Sequence, residues 1–177
     1  MDGNFHFVML DFYLKHTGCD YYWLIEYDVR FNGDWKNYFE FFADKDDDFI
    51  SAHIGDFSGD TRWTRWKEIE LVNIKLNHKM LLRSFNPICR ISNRALALGH
   101  ERCKLGDRGH YEVLLPTLFK YFKLKISDFG GNGRFIYTGC SGLFYTDDPN
   151  DVCGDKCTHR FRPAHTEGEM ALSGMIY

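Results

Sequence analysis

The chain has no apolar run approaching the roughly 20 residues that a bilayer-spanning helix needs. Its opening residues, MDGNFHFVMLDF, carry neither a basic leader nor a long apolar stretch. A membrane span and a secretory signal peptide are therefore not expected in this sequence. Basic charge is not in excess either. Against 22 Lys and Arg stand 25 Asp and Glu, a net charge of -3, so the basic face that grips nucleic acid is not expected. The six cysteines, at 19, 89, 103, 140, 153 and 157, are dispersed and give no evident disulfide framework. A reducing compartment such as the cytoplasm fits them, as does a Golgi lumen with one or two bridges. There is no internal repeat and no low-complexity tract.

What is present is a chain of 177 residues, long enough for one domain with a real core and short for two. Aromatic residues reach 17%, with 16 Phe and 10 Tyr, which predicts a stiff core or sites that stack flat ligands. Phe5, Val8, Met9, Phe12 and Tyr13 recur at helical spacing, so residues 5–16 are expected to form an amphipathic helix. Tyr21 to Ile25 reads as a strand covered on both faces. Asn32-Gly33-Asp34 is a turn, with Asp34 placed to cap a helix that carries Trp35, Tyr38, Phe39 and Phe42 on one face. Further strands are expected at 49–54, 88–91 and 135–138. Ser92 is placed to cap a helix over 93–103, and a last helix carries Leu114 to Phe122 with Pro116 in its first turn. From Gly139 onward the sequence reads as an irregular tail. This order argues for an α/β fold with a mixed sheet.

Glu26 and Asp28 follow the first strand directly. In an open α/β sheet, ligands bind beyond the carboxyl ends of the strands. On an extended chain, residues two apart point to the same side. Two carboxylates sharing one side repel, and a hard divalent cation such as Mg²⁺ or Mn²⁺, bridging to phosphate oxygens, relieves that repulsion. The alternative is that both are ordinary polar residues where a strand surfaces, with Arg30 pairing one of them.

The stretch YYWLIE followed by YD, a turn and an aromatic helix resembles the region around the acidic DxD motif of GT-A-type glycosyltransferases. The resemblance covers residues 5–165. It implies a mixed, mostly parallel layered sheet with helices on both faces, GT-A or Rossmann-like. It also implies a nucleotide-diphosphate sugar donor, a glycan or other hydroxyl acceptor, and Mn²⁺ or Mg²⁺. On it, Asp28 is a direct metal ligand and Glu26 acts through water or toward the ribose. The motif's first position is Glu here rather than Asp. The resemblance makes Glu112, in Arg108-Gly109-His110-Tyr111-Glu112, the base that deprotonates the acceptor. The other reading of Glu112 is a first-turn carboxylate favoured by the helix dipole. The resemblance makes His165, in Phe161-Arg162-Pro163-Ala164-His165, a C-terminal metal ligand, the alternative being a surface histidine. Only 25 residues precede Glu26, so the resemblance implies the C-terminal portion of a longer enzyme or a reduced version of it. A non-catalytic binding or scaffold domain derived from that fold, and a metal-dependent phosphoester hydrolase, are the alternative functions.

Other groupings point less sharply. Cys153, Cys157 and His159 suit a zinc site with a distant fourth ligand such as Cys140, a disulfide, or two idle thiols. Gly130-Gly131-Asn132-Gly133-Arg134 precedes a strand rather than following one, so a turn is expected, with Arg134 able to reach an anionic ligand. Trp63 and Trp66 can stack on sugar rings, but burial of both in the core is the favoured expectation. His53, at a strand end, is placed to line a cleft.

Overall fold

The structure, a computed structural model, describes residues 5–27, 29–31, 33–131, 133–144 and 161–163. Along the chain run α1 (Phe5–Lys15), β1 (Tyr21–Ile25), β2 (Val29–Phe31), α2 (Trp35–Ala43), β3 (Phe49–Asp56), β4 (Ile69–Glu70) and β5 (Leu82–Ser92). They are followed by α3 (Asn93–Leu105), β6 (Arg108–Gly109), α4 (Tyr111–Tyr121), β7 (Ile126–Asp128) and β8 (Phe161–Pro163). Short 3₁₀ turns at Phe57–Gly59 and Thr64–Lys67 lie between β3 and β4.

The main sheet has the order β1-β5-β3-β7. β5 is antiparallel to both β1 and β3, and β7 is parallel to β3. β1, β3 and β7 therefore run one way and β5 runs against them. The sheet is mixed, as the element order predicts. Two of its three pairings are antiparallel, so it departs from the mostly parallel pairing expected from the resemblance.

Helices cover both faces. On one, Met9 and Leu10 of α1, Ala95 and Leu96 of α3, and Leu114, Leu118 and Phe119 of α4 pack on Tyr22, Phe49, Cys89 and Ile91. On the other, Tyr38 and Phe42 of α2 meet Ile50, Ala52, Ile88 and Phe129. Each large apolar side chain so buried contributes about 1.5–3 kcal/mol. A third cluster joins Trp66, Leu81 and Val113, with Trp63 packed against it, so Trp66 belongs to the core and Trp63 lies half-buried on its edge. Trp66 satisfies its indole by donating Nε1–H to Asp60 O at 2.7 Å.

Capping residues set the helix starts. The Asp34 carboxylate accepts the Lys36 N–H to open α2, and Ser92 Oγ accepts the Ala95 N–H to open α3. The face beneath α2 holds a buried cation. Arg90, 2% exposed, donates to the carbonyls of Phe42 and Lys45 at 2.6 Å and of Asp47 at 3.3 Å, and its guanidinium lies 4.0 Å from the Tyr21 ring. The α2 C-terminus and the turn into β3 are thereby tied to the sheet.

Four sequence expectations need correction. α1 buries Met9 and Leu10 and leaves Val8 and Phe12 about half exposed, because a helix apolar on all sides has no unique stripe to bury. Pro116 lies inside α4, which begins at Tyr111, rather than in its first turn. The strand expected at 135–138 is a single bridge from Ile136 to Asp128, and the strand in that region is β7. The first part of the expected tail belongs to the core: Cys140 and Phe144 are 2% and 5% exposed and pack under α2.

Candidate functional site

The site is built where α4 begins. β4 and β6 form a two-stranded ribbon pairing Ile69 with Gly109 and Glu70 with Arg108. Gly109 is required there: its φ is +152°, and a Cβ would lie 2.2 Å from the carbonyl oxygen of Glu68. The next residue, His110, donates its N–H to that same Glu68 oxygen at 2.9 Å. His110 Nδ1 then accepts the Glu112 N–H at 3.3 Å and caps α4. An accepting Nδ1 carries no proton, so its 3.7 Å approach to Glu112 Oε2 is not an ion pair. Ribbon and cap together fix Tyr111 and Glu112 in the first turn.

Both side chains turn toward the end of β1. Tyr111 Oη donates to Glu26 Oε1 at 2.7 Å, a bond spanning 85 positions in sequence. The Glu26 backbone N–H donates to Pro87 O at 2.7 Å, and the side-chain amide of Asn86 reaches Tyr111 O at 3.4 Å. Asn86 in turn accepts from Ser51 Oγ at 2.7 Å, so β3, β5, β1 and α4 are connected at this point. Glu112 is nearly enclosed, its side chain 15% exposed.

The electrostatics follow from burial. Loss of water pushes the Glu112 carboxyl up from 4.5 to about 7, a backbone hydrogen bond from Asn86 opposes this, and the nearby Glu26 charge adds to it. The charges of Arg65 and Arg83 pull the other way. The result is a carboxyl that exchanges its proton near neutral pH. Burial, followed by the Glu26 and Glu112 charges, raises the Tyr111 phenol far above its ordinary value, so it stays a donor. Tyr111→Phe removes the hydroxyl that holds Glu26. The expected cost is about 1–2 kcal/mol of folding stability in urea denaturation. An unchanged midpoint and slope would show that the contact carries no weight.

Glu26 and Glu112 lie at one place in the fold, linked through Tyr111, and the Glu26 charge acts on the Glu112 carboxyl. The strand ends at Ile25, and Val29 N–H donates to Glu26 O at 3.0 Å, so Glu26 lies past the strand. Asp28 and His165 lie outside the described residues, as do Cys153, Cys157 and His159. Among the described residues, no group of three or more His, Cys, Asp or Glu side chains is arranged to hold a metal ion. Glu26 is a half-buried carboxylate just past a strand end, and its charge reaches the Glu112 carboxyl. Arg134 sits apart, bonded to Asp56 at 2.8 Å beyond the end of β3. His53 lies in β3 with φ of +49° and lines a cleft beside Arg134.

Sequence reasoning missed Tyr111, Asn86 and Arg83 as members of this site; Arg65 was legible only as an arginine beside Trp63 and Trp66 able to hold hydroxyls or phosphate. A tyrosine preceding an acidic residue at a helix start was visible, but its partner 85 residues away was not. Comparison of the chain with family models, with curated proteins and with solved structures finds no match. No described helix is long and apolar enough to cross a membrane.

Proposed function

We propose that the chain is a GT-A-like glycosyl-transfer domain, moving a sugar from a nucleotide-diphosphate donor to a hydroxyl acceptor, with Glu112 as general base. The observation that supports this best is the convergence of Glu112 and Glu26, linked through Tyr111, at the carboxyl end of β1. Strand ends of this kind are where α/β sheets bind ligands.

The chemistry assigned to these residues is a single displacement. The acceptor hydroxyl gives its proton to the Glu112 carboxylate as its oxygen bonds to the anomeric carbon. The bond from that carbon to the donor phosphate breaks, and its electron pair leaves on the diphosphate. A base titrating near 7 is matched to this task at neutral pH, since a more acidic carboxylate would accept the proton poorly. Enclosure of Glu112 keeps water from competing as acceptor. Tyr111 holds Glu26 in place toward the donor, and Arg65 and Arg83 supply positive charge around the base. Glu26 and Asp28 would hold Mn²⁺ or Mg²⁺, with His165 as a further ligand, and such an ion would supply positive charge to the departing diphosphate.

Calorimetric titration with a nucleotide-diphosphate sugar in the presence of Mn²⁺ tests the donor side. Saturable binding is expected in the wild type, and its loss in Asp28→Asn. Equal affinity in that variant would remove the acidic motif from the donor site. Product analysis separates the alternatives. Transfer to an acceptor supports the proposal, bare release of sugar and nucleotide indicates a hydrolase, and a folded protein with no turnover indicates a binding domain.

A further inference from the structure

Beyond the end of β3 lies a second feature, a cleft of about 340 Å³ lined by His53, Asp56, Ser58, Arg83 and Arg134 and floored by Gly55, Gly59 and Gly133. The register places it. Gly55 pairs with Arg83 on β5, and Asn86, which bonds to Glu112 through its backbone, is three residues farther along that strand. Three strand residues span roughly 10 Å. On β5, Asn86 thus lies between the Glu26 end of β1 and Ser51 of β3, with the cleft three residues nearer the start of β5.

The charges in and around this cleft are unbalanced. Arg134 bonds to Asp56 at 2.8 Å, and Lys120 of α4 bonds to the same Asp56 oxygen at 3.1 Å. Arg83 bonds to Asp60 at 2.8 Å, with the Trp63 ring 5.8 Å from its guanidinium. Among the described residues, three cations thus face two carboxylates, leaving one positive charge. The lining is also rich in donors. Two guanidinium groups, a serine hydroxyl and glycine backbone line it, while its one carboxylate is already shared between two cations. A neutral polyol would meet few acceptors there. An oxyanion supplies the missing negative charge and the missing acceptor oxygens together, and guanidinium groups bind such anions through two parallel hydrogen bonds.

We infer that this cleft is an oxyanion subsite, which takes the phosphate or carboxylate group of an acidic sugar acceptor whose hydroxyl is presented to Glu112. Its assignment to the acceptor rests on the transfer reaction proposed above, whereas anion binding there does not.

The test uses the full chain and three small probes: glucose, glucose 6-phosphate and glucuronate. Amide chemical shifts of Gly55, Ser58 and Gly133 report occupancy. Glucose 6-phosphate or glucuronate is expected to shift them saturably, more weakly as salt is raised, and glucose is not. Tighter binding of the phosphate probe marks a phosphorylated acceptor, and tighter binding of glucuronate marks a carboxylated one. Arg134→Gln is expected to weaken the anionic probe about tenfold, since a hydrogen bond to a charged group is lost. Because Arg134 is exposed, this variant should fold; Arg83→Gln provides a second, independent loss. Binding of glucose equal to its acidic derivatives, no binding of either anion, or wild-type affinity in both variants would overturn the inference. A protein that binds the anion and transfers no sugar keeps the cleft and loses the proposed function. One that transfers sugar to neutral acceptors alone keeps the function and loses the cleft.

Discussion

Glu112→Gln is expected to lower sugar transfer about 10²–10⁴-fold, the usual contribution of a positioned general base, and at the same time to stabilise the folded protein. The second effect follows from where the carboxyl titrates. In the unfolded chain it loses its proton near 4.5, and in the folded protein near 7. Between those values the folded state holds a proton that the unfolded state has released, so stability falls as pH rises through the window. Below 4.5 both states are protonated and nothing is lost. Above 7 the whole penalty is present, and the displacement corresponds to about 3 kcal/mol. Gln retains the shape of the protonated acid and carries no charge to bury. Thermal denaturation should show the variant melting above the wild type at pH 8 and level with it at pH 4.5. The wild-type kcat/KM should rise with pH through an apparent value near 7, and that limb should vanish in the variant. A variant no more stable than the wild type at pH 8 would mean that Glu112 is hydrated. A variant with undiminished transfer would take it out of the chemistry.

The sequence carried the local signals well and the long-range ones poorly. Asp34 and Ser92 were legible as caps because an N-cap needs nothing beyond the next three residues. β1 was legible because five consecutive apolar or aromatic residues end at a carboxylate. β5 is 11 residues long, yet only 88–91 were expected, because Arg83, Ser84, Asn86 and Pro87 interrupt the apolar pattern. Those interruptions have structural reasons: Arg83 lines the cleft, Asn86 bonds to Ser51 and Tyr111, and the Pro87 carbonyl receives the Glu26 N–H. Polar residues at a strand end broke the strand pattern because that end forms the site. Glu112 was singled out through the resemblance and its place at a helix start. Its raised titration depends on burial, which no local pattern reports. Arg134 was read, from its place at the end of a glycine-rich turn, as able to reach an anionic ligand, and it lies in the lining of the cleft beside Asp56.

The other large effect is expected from Asp128→Ala, at a residue no motif marked. Asp128 ends β7 and is 0% exposed. One carboxylate oxygen accepts the N–H groups of Gly130 at 2.9 Å and Gly131 at 2.7 Å, and the other accepts that of Ile54 at 2.8 Å. Its backbone adds bonds to Phe135 O at 2.8 Å and from Tyr137 N at 3.0 Å. A single residue therefore pins the irregular stretch of β3 after His53 to the loop that carries Arg134. Removing the carboxylate leaves three buried donors without this acceptor, each costing about 1–3 kcal/mol. Partial relaxation brings the expected total to about 3–5 kcal/mol, in the range of the larger single-residue losses, or a melting temperature lower by about 10 °C. Gly131→Ala reaches the same contact from the other side, since its Cβ would fall 2.5 Å from Asp128 Oδ2 and 3.0 Å from His53 Cα. Hydrogen exchange distinguishes loss of this pin from general weakening. In Asp128→Ala, the amides of Ile54, Gly130 and Gly131 should lose protection ahead of those of α3, which shares no bond with the carboxylate. Loss spread evenly over both regions would show that the loop is held by packing on Phe129 instead. Loosening the loop also frees Arg134 from Asp56, so the affinity of the cleft for glucose 6-phosphate should fall in the same variant while Glu112 keeps its place against Asn86.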